Sequence, residues 1–469
     1  MNIKSKLNKQ NIFALGIMSA LSVVLFCILS FYYASSMEQM TCGRFTYSIT
    51  GLFSLLTFAG SACVIFSTKR KEPLFVAFIT FAIGAALTAR FTMLDFISQD
   101  YEDCLSIWIS VFKYHPGVSG WSKTVGDYNM PYLYLLTLIA KLPFIPLYLI
   151  KTLSVTFDLI LAFFIMKIAE IKIKSSETLA AIFIGMLFVP TVIINSAYWA
   201  QCDVIYATFC IAFLYFALKE KSALSVIMLS VAFSFKLQTV FIMPMLIVFL
   251  FMKKIRVRDL IWFPIVFFAL LIPALVAGKP FMDAISVYYE QAKSYPFLEI
   301  HAPNVYQLFE HADYDTFVSA GIIFAGTAAA ALLYYAYRNK KYFDTSLFIL
   351  LSFLFALTIP MLLPKMHERY FFLADILAVL VFLYNKKRWF VPVGIIYGSF
   401  RSYTVFLGKT PFRDEIEQIT DVGAQEAYAE ALANIDMRIL AIIFIAVNIF
   451  CVYDLVREIN ARKAADSIE

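Results

Sequence analysis

The chain has 469 residues, of which 61% are hydrophobic and 15% charged, and its formal net charge is +6. A soluble domain carries about 25% charged residues, so this composition excludes one. The Lys and Arg residues sit in short clusters between apolar runs, the pattern of membrane sidedness rather than of nucleic-acid binding. The seven cysteines are scattered singly, without CxxC or metal-ligand spacing; Cys42 and Cys104 are the pair for which a disulfide is considered.

The expected fold is an all-α polytopic membrane protein. Because about 20 apolar residues cross a bilayer, helices are expected near residues 12–34, 46–67, 74–94, 146–168, 177–196, 202–219, 223–236, 238–253, 259–277, 316–336, 344–363, 370–385, 389–407 and 437–456, about fourteen in all. The first apolar run is too long for a signal peptide and lacks a small-residue cleavage site, so a retained anchor is expected. With the Lys-rich N-terminus in the cytoplasm, the basic clusters at 69–71, 167–174, 219–221, 253–258, 338–341, 386–388 and 457–463 all fall inside. Residues 131–142 are apolar but too short to span, and are expected to lie in the outer interface.

The first outer loop, residues 95–131, is the most polar stretch after the first helices. Asp100 opens DYEDCLSIW, where a partly desolvated carboxylate suits a general base. The same Asp can instead cap the short helix that follows, and Asp103 competes for the role from three residues on. In GDYNMPY, Asp127 and Tyr128 form either a hydroxyl-binding surface or only a turn. Asp158 lies within the apolar run IKTLSVTFDLILAFF, where an acid needs a partner or a wet cavity; Arg90 and Lys236 are the candidate partners.

Further along, residues 195–203 carry Gln201 and Asp203, and two short helices meet at Lys236 and Gln238, where polar groups must face protein or water. The loop of residues 279–315 carries Asn304 and reads as a lid or a lipid-contacting loop, with ordinary packing against the outer face as the alternative. KMHERY holds Lys365, His367 and Arg369, which with Lys236 and Arg401 make an anion clamp, Arg gripping phosphate oxygens and His367 donating to them. A solvated helix end balanced by Glu368 and Arg369 is the alternative. No GxGxxG, Walker A, HExxH or Ser-His-Asp arrangement occurs. No cofactor is expected; a divalent metal, if one is used, would fall to Asp100, Asp103 and His367.

In their order these features resemble the GT-C membrane glycosyltransferases, and are similar to the dolichyl-phosphate-glucose glucosyltransferases of N-glycan assembly and their bacterial relatives. The residues from Gln99 to Trp108 resemble a GDFEAQRHW-like segment, those from Asp127 to Pro131 a DYPP-like turn, Phe235 to Gln238 the start of an FKQMALYYSP-like break, and His367-Glu368-Arg369 an HEK-like signature with Arg in place of Lys. Residues 195–203 hold the place of a HGHFQYN-like segment but lack its histidines, so sugar specificity does not carry over. The resemblance covers residues 74–410, leaving 1–73 as an added helix pair and 411–469 as an external helical segment with the last span; residues 95–145 form the external loop.

It implies a GT-C-like bundle that inverts the anomeric centre of a hexose taken from a polyprenyl-phosphate donor. Asp100 is then the base, and Lys236, Lys365, His367, Arg369 and Arg401 hold the lipid phosphate. Asp103, Asp127, Tyr128, Asp158, Gln201, Asp203 and Asn304 line the sugar and acceptor. The implied partners are the polyprenyl-phosphate sugar, a glycan or lipid-linked acceptor and membrane lipid, with no nucleic acid. The implied state is a monomer in a bacterial plasma membrane, with its active site on the extracytoplasmic side. A flippase of lipid-linked precursors, or a polymerase or ligase of O-antigen type, is the alternative.

Overall fold

The computed structural model describes residues 9–36, 43–293, 297–309, 313–408 and 422–467. Cys42 and residues 409–421 lie outside them, and with Cys42 the disulfide considered above. The described chain is almost wholly helical, apart from one two-stranded parallel pairing of Glu299–Ile300 with Met366–His367. Eight of its helices are long and apolar enough to cross a membrane, or nine if the bent pair Ser176–Leu187 and Pro190–Tyr198 is one span. The protein is therefore an all-α, multi-pass membrane protein. The other five stretches expected to span hold helices of eight to 17 residues.

Local chemistry explains where these helices begin and why polar residues survive inside them. Pro73, Pro131, Pro146, Pro190 and Pro244 each stand in the first helical turn, where a missing N–H costs nothing and φ is already helical. Ser175, Asp313 and Asp344 cap their helices by accepting from Thr178, Thr316 and Leu347 backbone N–H groups. In helix Gly43–Thr68 the hydroxyls of Ser54, Thr57 and Ser61 donate to carbonyls one turn back, so they need no partner from outside the helix.

Two compact units divide the chain. The first comprises Met1–Ile211 and Pro273–Lys279. In it the first helix, Lys9–Ser36, buries a stripe of Ala14, Met18, Ser22, Leu25 and Leu29 at helical spacing. Ala14 and Met18 pack with Ile65 and Val76 of the next two helices. Helix Pro146–Ala169 approaches closely at Gly60, where an added Cβ would stand 3.1 Å from Leu159, the small-residue contact that membrane helices favour.

The second unit comprises Ala212–Ile272 and Pro280–Glu469. Its centre is helix Thr345–Leu362, buried along nearly its whole length. Helix Phe390–Phe406 meets the last helix, Val422–Asp466, at Gly398, where a Cβ would fall 2.3 Å from the Phe444 ring. Arg388, 1% exposed, holds that helix through Asp454 at 2.7 Å and Glu458 at 2.6 Å.

Candidate functional site

In the first unit, one carboxylate is gripped from a distance in sequence. Asp100 Oδ2 accepts from Trp199 Nε1 at 3.0 Å and from Gln201 Nε2, and Gln201 Oε1 in turn accepts from the Tyr128 hydroxyl at 3.3 Å. Asp100 makes no side-chain cap to the helical turn after it, which corrects the capping alternative. The turn is a π-helical one, Tyr101–Leu105, and a second, Ile194–Tyr198, immediately precedes Trp199. Single π turns commonly mark functional positions in helices.

The backbone around this carboxylate is fixed by buried donors. Lys151 gives its ammonium to the carbonyls of Met93, Leu94 and Phe96 at 2.8, 3.0 and 2.7 Å, one bond for each of its three protons. One turn along the same helix, Ser154 donates to the Gln201 carbonyl at 2.7 Å, and Ser98 donates to the Trp199 carbonyl at 2.8 Å. Phe96 stacks on Tyr198 with ring centroids 3.7 Å apart, and Tyr148 donates to Asp95. The segments leading to Asp100 and to Trp199 are thus both registered on helix Pro146–Ala169.

The GDYNMPY turn joins this arrangement through aromatic rings. Gly126 has φ +59°, and a Cβ on it would fall 2.2 Å from the Trp108 ring, so only glycine fits both the turn and the neighbour. Trp108 packs on Tyr128 and Tyr128 on Tyr132, at 5.2 and 5.1 Å between centroids. Tyr128 and Asp127 are half-buried at this turn, whereas Asp103 is exposed, away from the grip that holds Asp100.

Asp158 and Asp203, expected to line the sugar and acceptor, are both fully buried. Asp158 pairs with Arg90 at 2.8 Å and accepts from Ser196 at 2.7 Å, and both charged side chains are 0% exposed. This is the Arg90 partnership considered as the alternative; the carboxylate is buried, both bonds fall on Oδ2, and Oδ1 has no hydrogen-bond partner among the described residues. Asp203, also fully buried, accepts from Asn195 Nδ2 at 2.8 Å.

The second unit carries the basic cluster. The parallel pairing sets Ile300 beside His367 and Glu299 beside Met366, and the Lys365 N–H donates to the Leu298 carbonyl at 2.7 Å. His301 and Lys365 both adopt left-handed backbone, φ +50° and +62°. Such strain in non-glycine residues tends to gather at functional positions. Glu368, fully buried, lies 2.9 Å from Arg369 and 3.7 Å from His367 Nδ1. Burial works against its charge, but the neighbouring His367 and Arg369 outweigh it and hold the carboxyl below its ordinary range. The expected Glu368–Arg369 balance is present, but in a buried setting rather than at a solvated helix end.

Lys236 stands at the helix break as expected, nearly buried between Ser222–Phe235 and the 3-10 turn Leu237–Phe241. Phe241 packs toward Tyr370, and Tyr370 on His367 at 5.2 Å, so the turn after the break and the KMHERY segment share one aromatic run. Ser402 donates to the His301 carbonyl, bringing helix Phe390–Phe406 to the same strands. Its Arg401 gives its guanidinium to Asp436 and Thr404, and Lys365 lies over the Tyr314 ring at 5.6 Å. Asn304 is buried, its Oδ1 accepting from the Tyr306 N–H at 3.1 Å, which makes it a cap of the turn Val305–Leu308.

Sequence reasoning missed Trp199, Lys151 and Glu299. Trp199 was legible in principle, since a Trp inside a membrane protein needs an acceptor for its N–H. Burial, opposed by backbone hydrogen bonds from Ala302 and His301 and reinforced by the nearby Glu368, raises Glu299 to about 7. Among the described residues no three His, Cys, Asp or Glu side chains converge as metal ligands. No protein-family model matches this sequence, and no curated protein is significantly similar to it.

Proposed function

We propose that the protein is a membrane glycosyltransferase that moves a hexose from a polyprenyl-phosphate carrier to a glycan or lipid-linked acceptor of the cell envelope, with inversion at the sugar carbon. The observation that carries this reading is the half-buried Asp100 carboxylate, oriented by Trp199 and Gln201 and bordered by Tyr128. A base oriented by two donors and backed by aromatic rings suits deprotonation of a sugar hydroxyl. The acceptor oxygen attacks C1 as Asp100 takes its proton, the C1–O bond to the phosphate breaks, and polyprenyl phosphate leaves with the electron pair. Arg369 and His367, with Lys236 at the break, suit the stabilisation of that departing anion. The resemblance in motif order supports the same division of roles, with GT-C-like topology of about fourteen spans and the site on the extracytoplasmic side of a plasma membrane.

The test is transfer from polyprenyl-phosphate hexoses by purified full-length protein, with release of polyprenyl phosphate as the second product. Asp100→Asn is expected to lower turnover by about 10² to 10⁴; wild-type turnover in that variant removes Asp100 as the base. The Arg90–Asp158 pair within the apolar spans favours a second reading, carriage of lipid-linked precursors, because charges at membrane depth often mark a transport path. Proteoliposomes separate the two: movement of unmodified lipid-linked sugar across the bilayer supports carriage, and covalent transfer supports the enzyme.

A further inference from the structure

The first unit holds a basic cavity at one end of its N-terminal helices. It has a volume of about 630 Å³ and is lined by Lys9, Lys69, Arg70 and Lys71 together with Phe13 and Glu72. Lys9 begins the apolar span Lys9–Tyr32, and the other three cations lie in the link between the spans Ser48–Thr68 and Pro73–Phe91. All four therefore stand where apolar helix gives way to polar chain, the depth of lipid headgroups. Arg70 is held between Glu72, at 3.0 Å, and Glu177. Lys9, Lys69 and Lys71 make no ion pair among the described residues, so the cavity keeps a surplus of positive charge. Cations gathered between helices in this way attract anionic headgroups.

A second observation points to the same class of ligand. From Lys9 and Phe13, which line both, the cavity continues into an apolar groove of about 420 Å³ along the first helix, floored by Ile12, Gly16, Ile17 and Ala20. Phe13 and Ile12 are more than half exposed there, and a Cβ on Gly16 would meet nothing within 4 Å. The helix packs on its neighbours through the adjoining face, at Ala14 and Met18. A cationic head cavity running into an apolar trough matches one molecule of the bilayer: a negatively charged head with a hydrocarbon tail.

We propose that this cavity and groove form a binding site for an anionic glycerophospholipid, with its phosphate among Lys9, Lys69 and Lys71 and one acyl chain laid against Gly16 and Ala20. The Lys side chains supply charge-assisted donors to the phosphate oxygens, and the gap at Gly16 admits the chain. The site shares no residue with the Asp100 and His367 groups and holds whether or not the protein transfers sugars.

The experiment places the full-length protein in nanodiscs of equal phosphatidylglycerol and phosphatidylcholine, then reads by native mass spectrometry which lipid stays bound after release. Wild type is expected to retain phosphatidylglycerol at least about tenfold over phosphatidylcholine, since each basic residue near a headgroup contributes about fivefold. The triple variant Lys9→Gln, Lys69→Gln, Lys71→Gln is expected to lose that preference, while Lys219→Gln, Lys221→Gln, Lys253→Gln, with the same change of charge, keeps it. Gly16→Leu leaves every charge in place and is expected to lose the retained lipid by filling the trough, which covers the case of a triple variant that fails to fold. Equal retention of phosphatidylcholine, wild-type retention by either site variant, or displacement of the lipid by inorganic phosphate alone overturns the proposal.

Discussion

Asp100, Tyr128 and Gln201 were all legible as candidates because each is a polar residue in an otherwise apolar chain, and the structure brings these three together with Trp199. What no local pattern carries is which donors serve which acceptor, since about a hundred residues separate Asp100 from its partners. The grip predicts a graded result. Gln201→Leu removes one donor and the link to Tyr128, and Trp199→Phe removes the other while keeping an aromatic ring. Each is expected to cut turnover by about tenfold to a hundredfold, at roughly 1.5–3 kcal/mol for a hydrogen bond to a charged group. If both variants turn over as wild type does, the carboxylate needs no orientation and the reading of the site fails. Glu299 gives a prediction of a different kind. Its folded value of about 7 lies above the ordinary 4.5, so the folded state holds a proton that the unfolded chain has released between these values. Its stability is then complete below about pH 4.5 and is lost as pH rises through 7, by up to roughly 3 kcal/mol. Thermal unfolding of Glu299→Gln between pH 5 and 8 should show that slope removed, and a slope identical to wild type would assign it to another group.

At the scale of elements, helix Pro146–Ala169 was readable from its length and apolarity, but its second role was not. Lys151 and Ser154, three residues apart and so on one face, fasten the two segments that meet at Asp100, through bonds to backbone carbonyls. Such bonds leave no trace in residue pattern because every residue offers the same acceptor. The two-residue strands Glu299–Ile300 and Met366–His367 escaped for a related reason, being too short to show a period of two. Lys151→Met keeps the stem and removes three donors from buried carbonyls. It is expected to destabilise the protein by at least about 2 kcal/mol, since an unsatisfied buried acceptor costs about 1–3 kcal/mol. It should also expose residues 93–100 to protease and lower turnover without abolishing it. Unchanged protease resistance together with unchanged turnover would show that the fastening is not needed.

For the whole molecule, composition was enough to establish an all-α, multi-pass membrane protein, and every stretch expected to span holds helix. Span number was harder to read, because breaks such as the one at Lys236 shorten helices below the usual crossing length while leaving them apolar. The proposed sidedness rests on the basic clusters: residues 69–71 and 253–258 are expected in the cytoplasm and residues 95–131 and 279–315 on the other side. The proposed chemistry depends on that assignment, since a base at Asp100 and a phosphate site at His367 serve one reaction only from one face of the membrane. Exposed positions report it without disturbing either group: Asp103→Cys lies three residues from Asp100, and His301→Cys lies on the segment bridged to His367. In a background without the native cysteines, an impermeant maleimide is expected to label both in intact cells and to reach Lys69→Cys and Lys253→Cys only after permeabilisation. Labelling of position 103 and position 301 from opposite sides would leave the proton acceptor and the leaving phosphate in different compartments, and no single displacement at the sugar carbon could then connect them.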